Sequence, residues 1–595
     1  MSYFLVLSKR HGESVLSQYQ RLREDRRMCD IVLESRGVEF PAHRSLLACA
    51  SDYFWALLKE HTLESGAPGP LSLPALSPSG LERVLDFIYT SWLCLSPSTL
   101  EETLEAACYL QVTHAVELCG RYIMDNLTLE TCCYFANVAC RYGLSEALKV
   151  ADWYIARHLW ELLGLEGEER AALMELNMES LRNALASEDV PRVREHDMLK
   201  LALDWLHHYK LSPLQSNLLL TNMRFGLVAP DDLRQLSADR TALRTPFINS
   251  LVQKALDYHT QGALQPLLQS DSTRIRATGS EVVMVGGGAE VDRPQRIIQS
   301  FDTASRKFRT LASQLPARLQ HHCVCAIGGF LFVMGGEEVT SADVDGDGES
   351  EKTNQVVTVS ERVWRYDPRF QRWDEAEPLI QRRAQFACCV VDGVIFAIGG
   401  RVEPGEEPLS TVERYNLRAG CWRKGVTLPN AIHGHACTTI GNDIYISGGI
   451  HGEAAESSRD FLRLELFAGD TWHKRASMSI ARFGHQMVTV GDRIYSFLGM
   501  FEQYCDIERY DTTRDQWTRI RPLLNDRFCY GLSATADGRI MLFGGRKWHN
   551  GQEVVMSNVM EYDTETDTWR ELCRMPGPLC GTKCVQLPIL HTAET

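Results

Sequence analysis

A short apolar strand that ends in two glycines decides the fold of this chain, and its first copy reads Val282-Val283-Met284-Val285-Gly286-Gly287. The pattern returns five times in the second half of the chain, at residues 331–336, 394–400, 444–449, 494–499 and 540–545. The copy at 494–499 carries Leu498 where the others have their first glycine. Self-similarity at a period of about 50 residues indicates a repeat architecture.

A second signature follows each strand: an aromatic residue, usually before an acid or amide, and a second aromatic seven positions after the first. The clear copies are Tyr366-Asp367…Trp373, Tyr415-Asn416…Trp422, Tyr510-Asp511…Trp517 and Tyr562-Asp563…Trp569. The first copy reads Phe301-Asp302…Phe308, and the fourth keeps Trp472 but has Leu464-Glu465 in place of Tyr-Asp. Asp or Asn opens a hairpin turn, so the two aromatic residues are expected on paired strands.

One such sheet cannot bury both of its faces, whereas six sheets arranged radially share the burial. The pattern therefore predicts an all-β six-bladed propeller. The first repeat lacks a complete leading strand, and the tail Gly581–Leu587 reads as a strand without its own glycine pair. We predict that this C-terminal strand joins the first blade and closes the ring. The double glycine, Tyr-Asp and Trp at this period resemble kelch repeats, over residues 281–590.

Composition and charge narrow the functional classes. The chain has 595 residues with 44% hydrophobic and 23% charged residues, which predicts a soluble protein of several domains. Its formal charge of −15 argues against nucleic acid and acidic membranes as partners. No apolar run approaches the length of a membrane-spanning helix, and no export signal is recognised. We therefore expect a cytoplasmic protein, with the nucleus as the alternative location.

The nineteen cysteines are scattered, and none are spaced as a C-x-x-C pair, so reduced thiols and no metal or cofactor are expected. Residues Asp343–Gly348 match the start of an EF-hand calcium loop. Asn354, however, stands where the bidentate glutamate belongs, and no helical pattern flanks the loop. We interpret residues 337–360 as an acidic insertion loop in the second repeat.

The front of the chain, residues 1–127, resembles a BTB/POZ domain of the α/β class with an N-terminal dimerisation helix. The motifs that carry the resemblance are Asp30-Ile31-Val32-Leu33, then Phe40-Pro41-Ala42-His43-Arg44, then Ser51-Asp52-Tyr53-Phe54. Residues 11–28 are predicted as the amphipathic helix, and Leu81, Val84, Leu85 and Ile88 mark a second apolar helical face. Asp30 and His43 are predicted to form a buried structural pair.

Residues 128–260 carry helical patterns only, with Met198, Leu201, Ala202, Trp205 and Leu206 on one face. Pro230-Asp231-Asp232 is a helix-start signal, because acids favour the positive end of the helix dipole. In this position the region resembles an all-α BACK domain. Residues 261–280 contain Gly262, Pro266 and Gly279 and are interpreted as the linker to the propeller.

The order BTB, BACK, kelch resembles the kelch-like family of cullin-3 ubiquitin ligase adaptors. This resemblance implies that BTB forms a homodimer and binds cullin-3 through the helix after Ser-x-Tyr-Phe and a following hydrophobic-x-Glu motif. The matching residues are Tyr53, Leu58, His61, Thr62 and Glu64. Thr62 stands where a larger apolar residue is usual, so cullin-3 binding is expected to be weaker or carried by Tyr53, Leu58 and His61. A solvated helix end is the alternative.

The propeller mouth is the predicted substrate site, because propellers bind partners through loops. Arginine recurs in the loops that enter the leading strands, and kelch pockets of the family use such arginines for peptides. The predicted substrate-binding residues are Arg318, Arg383, His433, Arg482, Phe483, Arg527 and Phe528. Guanidinium groups bind carboxylate or phosphate in a bidentate manner, which suits an acidic or phosphorylated peptide. Alternatively, each arginine pairs with an acid of the neighbouring blade and stabilises the ring.

No sequence motif for catalysis is present, so the predicted function is a non-catalytic substrate-recognition adaptor of a cullin-3 RING E3 ubiquitin ligase. The kelch propeller would bind the protein substrate and BTB would bind cullin-3. The alternative is a dimeric actin-binding scaffold of the cytoskeleton without a ligase role. Co-purification of cullin-3 distinguishes the two, since a scaffold would bring none.

Overall fold

The computed structural model describes residues 11–59, 69–239, 245–277, 279–291, 293–341, 355–451, 456–466, 469–499, 506–523, 527–535 and 537–589. The chain divides into two compact units. The first comprises residues 1–191 and 204–222, and the second comprises residues 192–203 and 223–595.

The N-terminal domain is a small mixed sheet covered by helices. Strands β1 (Ile31–Ser35) and β2 (Val38–Ala42) pair antiparallel, and β3 (Leu71–Ser72) adds to β1 in parallel. The helices are α1 (His11–Glu24), α2 (Arg44–Ala50), α3 (Asp52–Leu57), α4 (Pro78–Thr90), α5 (Pro97–Tyr109) and α6 (Thr113–Asp125). Helix α4 begins where the Ser77 side chain accepts from the Gly80 amide, with Pro78 in the first turn. Its predicted apolar face is buried in the core with Leu33 and Phe54.

Helices continue through the next region, as predicted. They are α7 (Cys132–Arg141), α8 (Ser145–Arg157), α9 (Leu159–Gly164), α10 (Gly167–Met174), α11 (Met178–Ala186), α12 (Glu195–Tyr209), α13 (Pro213–Leu220), α14 (Pro230–Asp239) and α15 (Pro246–Thr260). Helix α14 begins at the predicted Pro-Asp-Asp step. The five predicted face residues of α12 are all buried. The periodicity of the apolar residues therefore placed the core side of this helix correctly.

Six four-stranded antiparallel sheets follow, and each is one blade. From inner to outer strand, blade 1 holds Lys583–Leu587, Glu281–Val285, Ile298–Asp302 and Lys307–Thr310; blade 2 holds Cys323–Ile327, Phe330–Met334, Val363–Asp367 and Arg372–Ala376; blade 3 holds Ala387–Val391, Val394–Ile398, Val412–Asn416 and Cys421–Lys424; blade 4 holds Ala436–Ile440, Asp443–Ser447, Phe461–Glu465 and Thr471–Lys474; blade 5 holds Gln486–Val490, Arg493–Phe497, Ile507–Asp511 and Gln516–Ile520; blade 6 holds Gly531–Ala534, Arg539–Phe543, Asn558–Asp563 and Thr568–Arg574.

The ring closes through the C-terminal strand, which confirms the prediction. Lys583–Leu587 pairs antiparallel with Glu281–Val285 and so supplies the inner strand of blade 1. The six inner strands contact one another in cyclic order, each with the next and the last with the first. Full closure removes the exposed sheet edges that an open array would have.

The two repeated signatures have the predicted places in each blade. Tyr366 lies opposite Trp373 across the outer hairpin of blade 2, with their ring centroids 5.0 Å apart. The double glycine follows the second strand of the blade. There the residue that directly precedes the inner strand of the next blade comes close to the backbone. A Cβ atom on Gly448 would lie 2.6 Å from Cε1 of His485. Glycine is required there because it has no Cβ and adopts the positive φ of +60°.

Two segments differ in detail from their sequence interpretation. The insertion at 337–360 includes an antiparallel hairpin of Glu337–Ser341 with Gln355–Val359, and its residues 342–354 lie outside the described part. The described part of the predicted linker 261–280 includes a 3-10 helix, Gly262–Leu267. Three valines and a threonine in 355–359 favour a strand. The turn composition of 261–280 could not reveal its contacts.

Buried polar contacts hold this linker and the end of α15 on blade 2. Arg369 is 3% exposed and forms an ion pair with Asp367 at 2.6 Å. Its guanidinium also donates to the Gln265 side chain at 3.1 Å and to the Tyr258 hydroxyl, and it stacks on Phe330 at 4.5 Å. The second unit therefore continues without a break from α15 into the propeller.

Candidate functional site

The first candidate surface is helix α3 of the N-terminal domain. Ser51 caps the helix by accepting from the Phe54 amide at 3.0 Å. Tyr53 is half-buried, with its ring 5.4 Å from that of Tyr109, and Leu58 packs partly against the core. The predicted residues His61, Thr62 and Glu64 lie in 60–68, outside the described residues. Their part in a binding surface stays a prediction.

Trp55 on the same helix is a candidate that the sequence interpretation missed. Its side chain is 60% exposed, and Tyr109 is 42% exposed. Exposed tryptophan and tyrosine are enriched among residues that carry binding energy at protein interfaces. A signal was available, because Trp55 directly follows the buried Phe54 and lacks the i+3 or i+4 spacing that would place the two residues on one apolar face.

Asp30 and His43 do not form the predicted buried pair. His43 is 4% exposed, and its Nδ1 is 2.8 Å from the hydroxyl of Tyr89. Asp30 is exposed, and its carboxylate accepts from the Arg44 amide at the start of α2, at 2.8 Å. An acid at a helix start satisfies a free amide and favours the dipole. Both residues are structural, but they act separately.

In the propeller, the predicted substrate arginines Arg383, Arg482 and Arg527 are buried, with exposures of 0%, 1% and 2%. This burial contradicts their predicted role, because a buried and bonded guanidinium cannot contact a peptide in the mouth. The burial favours the alternative in which these arginines pair with acids and stabilise the propeller, but the paired acids are not in the neighbouring blade. The acids lie in the same blade as the arginine, since Arg383 pairs with Glu413 of blade 3 and Arg482 with Glu508 of blade 5.

The three arginines share one geometry. Each donates to the carbonyl at the end of its own blade's second strand, at Gly399 (2.8 Å), Leu498 (2.9 Å) and Gly544 (3.1 Å). Each also bonds a third-strand side chain, and in blade 6 this partner is the amide oxygen of Asn558 at 3.1 Å. Burial lowers the pKa of Arg383, and Glu413 opposes this shift. The recurring arginine therefore has a structural role, because it links the second and third strands of its own blade.

The other predicted substrate residues are divided between the mouth and the interior. Arg318 is exposed and lines a groove with Arg293, and Phe483 lines the central cavity of the mouth. His433 is half-buried, and its Nδ1 is 2.9 Å from the Gln385 side chain. Burial and the charge of Arg401 lower the pKa of His433 to about 4. Phe528 is 6% exposed beneath the guanidinium of Arg546, 5.0 Å away, and is not at the surface.

The central cavity lies where the inner strands begin, and residues of all six blades line it. It has about 1030 Å³ of empty space, part of which is open to solvent. Among the described residues that line it, Arg293, Arg546 and Lys583 are cationic, and Glu290 carries a carboxylate. A cationic cavity in a chain of charge −15 attracts negatively charged groups.

Six buried residues, one directly before each inner strand, line the bottom of this cavity. They are His322, Phe386, His435, His485, Tyr530 and Thr582. Burial lowers the pKa of His322 and of His435 to about 3, with smaller contributions from neighbouring charges. These imidazoles are neutral near pH 7, so they add no positive charge to the cavity.

Within the described ranges, no cluster of three or more His, Cys, Asp or Glu is placed to hold a metal ion. None of the helices described has the length and apolarity needed to cross a bilayer.

Comparison with known proteins defines the class. Residues 19–127 match the BTB/POZ domain, residues 132–238 match BACK (BTB And C-terminal Kelch), and residues 252–449 and 434–585 match the KLHDC2/KLHL20/DRC7 Kelch-repeats domain. The chain belongs to the kelch-like family, with the BTB–BACK–Kelch architecture that is typical of cullin-3 adaptors.

Particular relatives match over almost the whole length. Kelch-like protein 34 of Homo sapiens is 41% identical over 639 residues, covering 100% of this chain and 98% of the relative. Kelch-like protein 36 of Bos taurus is 33% identical, covering 97% of this chain and 92% of the relative. Kelch-like protein 13 of Mus musculus is 31% identical, covering 99% and 88%.

Proposed function

We propose that this protein is a non-catalytic substrate-recognition adaptor of a cullin-3 RING E3 ubiquitin ligase. Its BTB domain would bind cullin-3, and its propeller would bind the protein to be ubiquitinated. The observation that carries the proposal is one chain with two unlike surfaces, exposed aromatic residues at α3 and a cationic cavity at the propeller mouth. Cytoplasmic action, with the nucleus as the alternative, is part of the proposal.

On the BTB side, we place cullin-3 against helix α3 and the residues after it. Trp55 would be the central anchor, with Tyr53 and Tyr109 beside it. Burying an exposed tryptophan removes a large apolar area from water, and such anchors dominate many interfaces. The weakening expected from Thr62 would be offset by this anchor.

We also propose that BTB forms a homodimer. The described helix α1 has no buried residue, and Val15 on it is 41% exposed. An apolar side chain left uncovered on an outer helix is what a self-complementary interface would bury. Two propellers in one dimer raise the effective concentration for a substrate with two binding motifs.

Co-purification of cullin-3 with the full chain tests the proposal. Wild-type protein should retain cullin-3, and Trp55→Ala should reduce its recovery at least about tenfold, as expected for loss of an interface anchor. Trp92→Ala is the matched control, because Trp92 is 83% exposed outside α3. Absence of cullin-3 from the wild-type sample would favour the cytoskeletal scaffold instead, and equal loss in both variants would remove α3 as the binding surface.

A further inference from the structure

Lys583 has an unusual place in the propeller. It is the first residue of the C-terminal strand that closes blade 1. Lys583 is a lining residue of both the mouth cavity and the adjoining channel, and the channel walls come from the inner strands of all six blades. Lys583 therefore lies where the mouth cavity meets the axial channel.

The first residues of the six inner strands form one tier, because each lies opposite the last residue of its blade's second strand. Lys583 pairs with Val285, as Cys323 pairs with Met334 in blade 2. The six residues of this tier are Lys583, Cys323, Ala387, Ala436, Gln486 and Gly531. Five of them are uncharged. Packing of the tier alone therefore does not require a lysine.

The charge of Lys583 affects pKa values in both neighbouring blades, as expected for a residue near the propeller axis. Burial lowers the pKa of His322 to about 3, and the positive charge of Lys583 adds to this shift from the neighbouring blade. Burial also raises the pKa of the Cys529 thiol in blade 6, which the charges of Arg546 and Lys583 oppose. One ammonium group thus acts on blades at both sides of its own.

The two other described cations that line the central cavity, Arg293 and Arg546, have acidic partners. Arg293 pairs with Glu290 at 2.8 Å, and Arg546 pairs with Glu553 at 2.9 Å. For Lys583, no carboxylate partner is found in the part of the chain that the structure describes. A partly buried ammonium without a counter-charge is costly, so a bound anion would stabilise it.

We propose that Lys583 is the anchor for a carboxylate of a peptide that enters the mouth cavity. The inference rests on the proposed substrate role of the propeller and names the chemistry of that substrate. A single ammonium among uncharged tier residues matches one singly charged group, and a charge-assisted hydrogen bond would hold it. Phe483, which is half-buried and lines the same cavity, offers apolar contact to the residues beside the carboxylate.

Two sources can supply this carboxylate, an acidic side chain or the C-terminus of a protein. The experiment uses the full chain and four matched sets of short peptides on an array. The first set has internal Asp and Glu with an amidated end, the second has a neutral interior with a free C-terminus, the third has phosphoserine with an amidated end, and the fourth is neutral and amidated. Affinities of the strongest binders are then measured by fluorescence polarisation.

The proposal predicts that the first or the second set binds above the neutral amidated set. Lys583→Met should weaken that binding about tenfold to a hundredfold, which is the loss of one charge-assisted hydrogen bond. Lys583→Arg, which keeps the charge, should restore most of it. Lys424→Met on the exposed outer strand of blade 3 is the matched control and should bind as wild type.

Selection of the phosphoserine set alone, or of none of the four sets, would overturn the proposal. So would equal affinity of wild type and Lys583→Met for the selected set, at matched melting temperatures. If Lys583→Met does not fold, loss of binding in Lys583→Arg would overturn it instead. Cullin-3 co-purification is measured in parallel. Retained cullin-3 with no role for Lys583 refutes only this inference, whereas its absence from wild type refutes the proposed function.

Discussion

The buried ion pair of Arg383 and Glu413 in blade 3 allows a quantitative test. Their side chains are 0% and 3% exposed. Glu413 also accepts from the amides of Ile380 at 2.8 Å and Gln381 at 3.1 Å. In Glu413→Ala the guanidinium stays buried without its counter-charge, which costs about 3–5 kcal/mol of unfolding free energy. The two amides lose their acceptor as well, which adds about 1–3 kcal/mol for each one that water cannot reach.

Urea unfolding of the full chain, followed by tryptophan fluorescence, measures this loss. Glu403→Ala is the matched control, because Glu403 pairs with Arg382 at 2.6 Å in the same blade while both side chains are about half exposed. An exposed pair contributes about 0–1 kcal/mol. A Glu413→Ala loss no larger than that of Glu403→Ala would refute the assignment of these arginines to structure.

Acid should destabilise the propeller, since His322 and His435 have folded pKa values of about 3, below the ordinary 6.5. As pH falls from 6.5 toward 3, these histidines bind protons in the unfolded chain but not in the folded one. Each histidine should therefore lower the unfolding free energy by about 2 kcal/mol at pH 5, measured by urea titration. Truncation before Lys583–Leu587 should yield an aggregated propeller in sedimentation assays, because Glu281–Val285 becomes an edge strand. Arg369→Ala should speed proteolysis within 261–280, because its contacts to Tyr258 and Gln265 are lost.

Much of the fold could be predicted from the sequence, because the features that identify it are local and repeated. Tyr366 and Trp373 lie within one hairpin, and the glycine pair ends a single strand. The closing strand was also predictable, because a repeat without its leading strand requires one from elsewhere. The packing of the linker was not, because Arg369 contacts Gln265 across 104 positions of the chain.

The candidate site was harder to predict than the fold. Arginine recurs in the entry loops both when it binds a ligand and when it fixes a blade, so its recurrence could not separate the two roles. The pairing of Arg383 with Glu413 depends on how three segments of blade 3 pack. The motifs that contain Asp30 and His43 likewise could not show their partners, because Asp30 accepts from the Arg44 amide and His43 contacts the Tyr89 hydroxyl.

The sequence by itself determined the order of domains, the number of blades and the strand that closes the ring. The number of blades and the closing strand follow from periodic patterns of apolar, aromatic and glycine residues, and the order of domains follows from short motifs that resemble known domains. Only the tertiary structure decided which charges are buried and which remain available in the mouth. Burial and pairing arise from segments distant in sequence, which is why Arg383 is a structural residue and Lys583, in the last strand, lines the channel.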